Sequence, residues 1–286
     1  MACCLCGSQN LAMFRKSRLR APLTSDAFAI TDAHYGTTGE LRRCRACGLV
    51  QCTELGEVLS FYERLEDPAY VAGWDERQLQ SARLLEVVAR CQPSGRLLDI
   101  GAGSGILVQE ALRRGYSAMG VEPSAWLCEQ AWQRGLPVVR GTLPHHEVGA
   151  EFDVVTIVDV LEHVPDPVAL LRAAAQALSS TGVGLVVTPD FASVAARMLG
   201  WRWWHRRVAH LSYHTPRTLR LALAQAGLRV ERSFRPAWFF SCGYLAERVS
   251  RYLPAPLRLS CPHCLRDVTV RLNLHDSLGV VFRHDA

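Results

Sequence analysis

The chain has 286 residues, 49% hydrophobic and 21% charged, with a formal net charge of +5. A globular chain of this length buries roughly three quarters of its unfolded surface and needs no disulfide staple. The composition excludes disordered, collagenous and low-complexity chains. No apolar run approaches the roughly 18 residues of a membrane span, since the longest, Val154 to Leu161, already contains Asp159.

The amino terminus lacks the apolar core of a signal peptide, so the chain is expected to be cytoplasmic. In a reducing compartment its eleven cysteines point to metal rather than to disulfides. Lys16 is the only lysine among 32 Lys and Arg residues, an imbalance that reads as codon bias rather than as a nucleic-acid surface.

Residues 1–55 show no sustained helical period and are expected to form a small irregular appendage. Within it, Cys3-x-x-Cys6-Gly7 and Cys44-x-x-Cys47-Gly48 are matched knuckles, each with a glycine that frees backbone amides to turn toward the thiolates. Four thiolates at Cys3, Cys6, Cys44 and Cys47 suit a closed tetrahedral zinc site, and with no open coordination position its role is structural. Cys4 is the spare.

From Val58 to Arg90 apolar residues recur at helical spacing, at Leu79, Ala82, Leu85, Val88 and Ala89, until Pro93-Ser94-Gly95 breaks the chain. Beyond that point the pattern predicts strands at 96–100, 117–121, 137–140, 152–159 and 183–188, with helices at 104–114, 124–133 and 167–178. Apolar strands alternating with helices predict a doubly wound, mostly parallel α/β sheet. Thr215-Pro216 opens a further helix that Gly227 closes, and strands are predicted at 228–234 and 277–283. This divides the chain into a core over 56–235 and a segment 236–286. The latter holds an insertion with a helix-like stretch from Tyr244 to Tyr252, a third cysteine pair at Cys261 and Cys264, and the last strand.

The chemistry gathers around Leu97-Leu98-Asp99-Ile100-Gly101-Ala102-Gly103-Ser104-Gly105, an apolar strand running into a glycine-dense turn that opens a helix. Such a turn lets a nucleotide-like ligand approach the backbone closely. Asp99 would repel a pyrophosphate and attract a cationic amino-acid group. Glu122, at the end of the next strand, stands where a ribose diol would lie.

Together with Gly120-Val121-Glu122, Gly141-Thr142-Leu143, Phe152-Asp153-Val154-Val155 and Asp159-Val160-Leu161-Glu162-His163-Val164-Pro165-Asp166-Pro167, this stretch resembles the class I S-adenosylmethionine-dependent methyltransferases, in order from about 58 to 234. The resemblance implies a Rossmann-like seven-stranded sheet preceded by a small zinc-ribbon-like domain. It implies that Asp99, Gly101, Gly103 and Gly105 hold the methionine part of the cofactor, Glu122 the ribose and Thr142 and Leu143 the adenine edge. Many relatives carry an acidic residue in place of Thr142. Asp159 is expected to shape the cofactor pocket. Methyl transfer is an in-line displacement in which positioning and water exclusion dominate. His163, at the carboxyl end of a central strand, is the candidate base, with capping of the next helix as its alternative.

Trp201-Arg202-Trp203-Trp204-His205-Arg206-Arg207 resembles a Trp-rich segment of the same family. Three readings compete for it: a lid over the acceptor, an interfacial membrane anchor through Trp201, Trp203 and Trp204, or packing. The function these features predict is methyl transfer to a small-molecule acceptor, a glycan, lipid or secondary metabolite, with an oxygen, carbon or nitrogen nucleophile left open. The rivals are an RNA methyltransferase gripping phosphate through the zinc ribbon and a non-catalytic adaptor on a cofactor fold. Against the first, Thr188-Pro189-Asp190-Phe191 departs from the motif common in base methylation, and the charge is not gathered into one stripe. Against the second, the pocket residues are intact.

Overall fold

A computed structural model describes residues 1–19, 22–254 and 261–285. In chain order the elements are β1 (Leu11–Arg15), β2 (Leu41–Cys44), β3 (Val50–Cys52), α1 (Leu59–Glu63), α2 (Pro68–Ala72), α3 (Trp74–Ala89), β4 (Arg96–Ile100), α4 (Ile106–Arg113), β5 (Ser117–Glu122), α5 (Ala125–Trp132) and β6 (Val138–Arg140). There follow β7 (Phe152–Val158), α6 (Pro167–Ala177), β8 (Leu178–Pro189), α7 (Val194–Leu199), β9 (Ser212–Tyr213), α8 (Pro216–Gln225), β10 (Leu228–Phe234), β11 (Trp238–Ser241), α9 (Cys242–Ser250), β12 (Thr269–Leu272) and β13 (Ser277–His284).

The alternating apolar stretches build a seven-stranded sheet in the order β10-β13-β8-β7-β4-β5-β6. Its strands from β8 to β6 pair in parallel, while β13 runs antiparallel between β8 and β10. Central strands such as β7 are buried on both faces because helices cover both sides, so an uninterrupted apolar run replaces the alternation of a half-exposed strand. The antiparallel edge is keyed by size: Gly184 pairs with Phe282, and a methyl group on Gly184 would fall 2.0 Å from that ring.

Helix ends follow local chemistry. Asp166 accepts from the Ala169 amide at 2.9 Å ahead of Pro167, and Thr215 and Thr218 form a capping box ahead of α8. In α3 the buried face carries Leu84, Leu85 and Val88, whereas Leu79 is 44% exposed; the predicted helix is present with its inward stripe rotated away from Leu79.

Residues 1–55 are more regular than expected. They hold β1, β2 and β3, which with β9 make a four-stranded antiparallel sheet in the order β1-β2-β3-β9. Strands of three to five residues interrupted by cysteine turns are too short to show a period in sequence. The fourth strand comes from far along the chain, Val50 pairing with Tyr213 and Gln51 with Ser212. Cys3, Leu5, Cys44, Cys47 and Leu49 belong to the same buried cluster as Leu161, Val168 and Leu219. The amino-terminal unit is therefore fused to the core by a shared sheet and a shared apolar cluster.

Candidate active site

A cavity of about 590 Å³ opens beyond the carboxyl ends of β4, β5 and β7, the crevice where open α/β sheets bind ligands. Asp99, Gly101, Gly103, Glu122, Thr142, Leu143, Asp159 and His163 all line it. Gly105 does not. It is left-handed (φ +83°) and opens α4, and a side chain there would strike Leu136 at 2.9 Å. That contact gives it a packing role behind the loop.

The loop is pinned to β5 because the amides of Gly101 and Ala102 both donate to the Val121 carbonyl, at 2.8 and 3.1 Å. Gly101 and Gly103 have φ of +74° and +55°, a region costly for residues with a Cβ. Glu122 accepts from the Gly103 amide through Oε2 and from the Ser124 amide through Oε1, both at 2.9 Å. Asp99 accepts from the Thr156 hydroxyl at 2.6 Å. Burial pushes both carboxyl groups up to about 7, against the pull of these donors. Two buried acids at the mouth of a glycine loop make a pocket that favours a cationic, hydroxyl-bearing ligand. Asp159, in a left-handed conformation (φ +53°), is raised by burial to about 6, with His205, Arg77 and Arg207 opposing.

His163 ends a short 3-10 turn, Leu161–His163, beside the cavity. Its Nδ1 lies 3.0 Å from the Ala209 carbonyl and 2.7 Å from the Tyr62 hydroxyl. A carbonyl can only accept, so Nδ1 carries the proton and Nε2 keeps its lone pair. Burial, reinforced by the Arg207 charge, pushes the ring down to about 3. The imidazole is therefore neutral at ordinary pH.

Several wall residues carry no sequence motif. Tyr70 and Arg77 face the loop, the guanidinium lying 4.2 Å from the Tyr70 ring. Phe28 and Ile30 bring the amino-terminal segment into the cavity wall. Asp67 holds that segment by accepting from the Thr31 amide and hydroxyl at 2.9 and 2.7 Å while it caps α2. Arg207 donates to the carbonyls of Ala29 and Ile30 at 3.1 and 2.9 Å. The paired polarity of Asp67 and Arg207 gives no local signal because their partners lie far away in sequence.

Most of the tryptophan surface of the Trp-rich segment is packed against the rest of the fold. Trp203 is fully buried with its indole N–H donating to Asp276 at 3.3 Å, and Trp201 is covered by Arg15 and Arg206 at 3.5 and 4.1 Å. None of Trp201, Trp203 and Trp204 lines the cavity, where Trp238 stands instead. Arg15 and Arg206 lie over the Trp201 ring, an arrangement that supports the packing reading.

The four predicted thiols do converge. Cys3 and Cys47 sulfurs are 3.6 Å apart and those of Cys6 and Cys44 3.5 Å, with all four inside 4.8 Å. Zinc–sulfur bonds of about 2.3 Å would give tetrahedral edges of roughly 3.8 Å, so the set fits zinc. The two turns share one pattern: Cys3 N–H to Ser8 and Gly7 N–H to Cys3, then Cys44 N–H to Leu49 and Gly48 N–H to Cys44. Burial opposes ionisation of Cys44, yet the amides of Cys47 and Ala46 and the Cys6 thiol bring it down to about 6. Among the described residues, Cys261 and Cys264 join no comparable cluster.

A doubly wound sheet with an acidic residue near the end of β4, a glycine loop and a second acid at the end of β5 defines a nucleotide-cofactor enzyme. The methyltransferase-domain model matches residues 72–233, more than half of the chain, and the chain belongs to that family. It is an S-adenosylmethionine-dependent methyltransferase. It is 31% identical over 169 residues to the ubiquinone biosynthesis O-methyltransferase of Xanthomonas axonopodis pv. citri, covering 54% of this chain and 71% of that one. It is 37% identical over 95 residues to the protein of the same name from Escherichia coli O127:H6, where only 30% of this chain and 40% of the relative are covered. Two solved structures share the fold. A methyltransferase from Clostridium acetobutylicum has 10% identity, TM-score 0.51 and coverage of 76% of this chain and 98% of that one. The complex of a Haloferax volcanii Trm112 activator with a methyltransferase has 17% identity, TM-score 0.53 and coverage of 77% and 95%.

Proposed function

We propose that the chain methylates a hydroxyl group on a small, largely apolar acceptor, with His163 as the base. The observation that carries this reading is the neutral ring of His163, which lines one cavity with Asp99 and Glu122. Asp99 and the backbone of Gly101 and Gly103 would hold the amino-acid end of S-adenosylmethionine, Glu122 its ribose, and Thr142 and Leu143 the adenine edge. The donor supplies a methyl carbon made electrophilic by its sulfonium sulfur. The chain's own work is to orient the acceptor against apolar walls formed by Phe28, Ile30, Val58, Leu59 and Leu170, to exclude water, and to receive the hydroxyl proton at Nε2. The O-methyltransferase relatives support a small-molecule acceptor of this class. Zinc on Cys3, Cys6, Cys44 and Cys47 completes the reading as a structural ion.

The test is a panel of phenols, catechols and aliphatic alcohols incubated with methyl-labelled donor, with donor affinity measured separately by calorimetry. We expect a methyl ether from at least one phenol. His163→Ala should lower turnover by about 100-fold or more with donor affinity unchanged, and Asp99→Ala should abolish donor binding. Full turnover in His163→Ala would remove the base assignment.

A further inference from the structure

A base as weakly basic as buried His163 needs a partner for the proton it receives. The structure places a carboxyl group beside it that the reading above does not use. Glu162 is 2% exposed. Its Oε2 accepts from the Thr188 hydroxyl of β8 at 3.0 Å, and its Oε1 stands 3.9 Å from Nε2 of His163, the nitrogen left free by the Ala209 carbonyl. Its backbone is fixed too, since its carbonyl accepts from the Leu211 amide at 2.7 Å.

We propose that Glu162 is a positioning residue for the reaction, stabilising the protonated His163 ring and then taking the acceptor's proton from it. This rests on His163 being the base. The acceptor O–H bond breaks with its proton going to Nε2, and its oxygen forms the bond to the methyl carbon as the carbon–sulfur bond breaks with its electron pair left on sulfur. The proton then passes from Nε2 to Oε1 as the two close from 3.9 Å to hydrogen-bond distance, so that a carboxylate becomes a carboxylic acid and the ring returns to neutral. No net charge is created in the buried site, because the donor's positive charge and the carboxylate's negative charge disappear together.

The groups that face Glu162 set the pH range. Asp159 at the end of β7 opposes its ionisation, Thr188 and Arg207 favour it, and burial, the largest influence, raises it to about 8. His163 and His210, whose rings stand 4.7 Å apart, complete the surroundings, both held neutral by burial. The proton-accepting form of Glu162 is therefore populated as pH rises toward and past 8, and turnover should rise with it.

The experiment uses the full chain with the donor and the best acceptor of the panel. For Glu162→Gln, which keeps size and the Thr188 contact, kcat should fall by about 100-fold with donor affinity within about twofold, and its pH profile should lose the rise seen in the wild type. Glu162→Asp should recover part of the loss. Independently of turnover, nitrogen-15 shifts of the His163 ring should move as the carboxyl group titrates in the wild type and stay flat in Glu162→Gln. If no acceptor is turned over, the choice of acceptor class is at fault and the ring shifts alone decide. Wild-type turnover in Glu162→Gln, a matching fall in donor affinity, or a ring that ignores Glu162 would each overturn the proposal. So would activity lost to EDTA at unchanged zinc content and restored by magnesium, which would give the carboxylate to a cation.

Discussion

The two large sheets of this molecule hold together by different means. The seven-stranded sheet buries long apolar strands between helices, and its cohesion is spread over dozens of contacts that no single residue dominates. The four-stranded sheet has strands of two to five residues, each too short to bury much surface alone, and four clustered thiols and a buried indole add to the apolar clusters that hold it. The lesson is that fragility to single substitutions should be high in the small sheet and low in the large one, while the cofactor chemistry belongs to the large sheet.

The strongest way to break the comparison is to remove a thiol. Structural zinc contributes on the order of 10 kcal/mol to such units, so Cys44→Ser should release about one zinc per chain. Amide exchange should become fast in β1, β2, β3 and at residues 211–213, while β4, β7 and β8 stay protected. Zinc content unchanged in that variant would mean that the ligand set is wrong. Next in size is Trp203→Ala. Removing a fully buried indole costs roughly 3 to 5 kcal/mol, read as a lower midpoint in urea, while donor affinity stays within about twofold because the cavity lies elsewhere.

The smallest effect sharpens the picture on the large sheet. Asp99 is raised from its unfolded value to about 7, so between about pH 4 and pH 7 the folded chain holds a proton that the unfolded chain releases. Its contribution to ligand-free stability is present below the unfolded value and is lost as pH rises through 7. Asp99→Asn keeps an acceptor for Thr156 and cannot ionise. It should therefore gain stability relative to wild type between pH 5 and pH 8, on the order of 2 kcal/mol, measured by urea unfolding across that range.

What could be read in the sequence was what is decided locally. The Asp99 loop, Glu122 and the run from Asp159 to Pro167 declare themselves because strand, turn and cap chemistry lie within a few residues of each other, and the thiol knuckles do so because their spacing is fixed by one turn. The tryptophans leave three readings open because composition alone does not say which side of a chain is covered: Arg15 and Arg206 reach Trp201 from different elements. Tyr70, Arg77 and Phe28 were silent because their place on the cavity wall depends on contacts made across the fold. Glu162 stood inside a recognised motif, and only burial beside Nε2 of His163 gives it a task.

The pairing of β3 with β9 also bears on the order in which the chain is made. The last strand of the cysteine sheet, Ser212–Tyr213, leaves the ribosome about 160 residues after Cys52. The amino-terminal unit can close its knuckles early but must wait with one edge of β3 open until most of the large sheet has been synthesised. An unpaired edge held for that long is where a nascent chain meets its neighbours. Metal capture by the thiols, which needs only the first fifty residues, would keep that waiting edge short, twisted and in register for its distant partner.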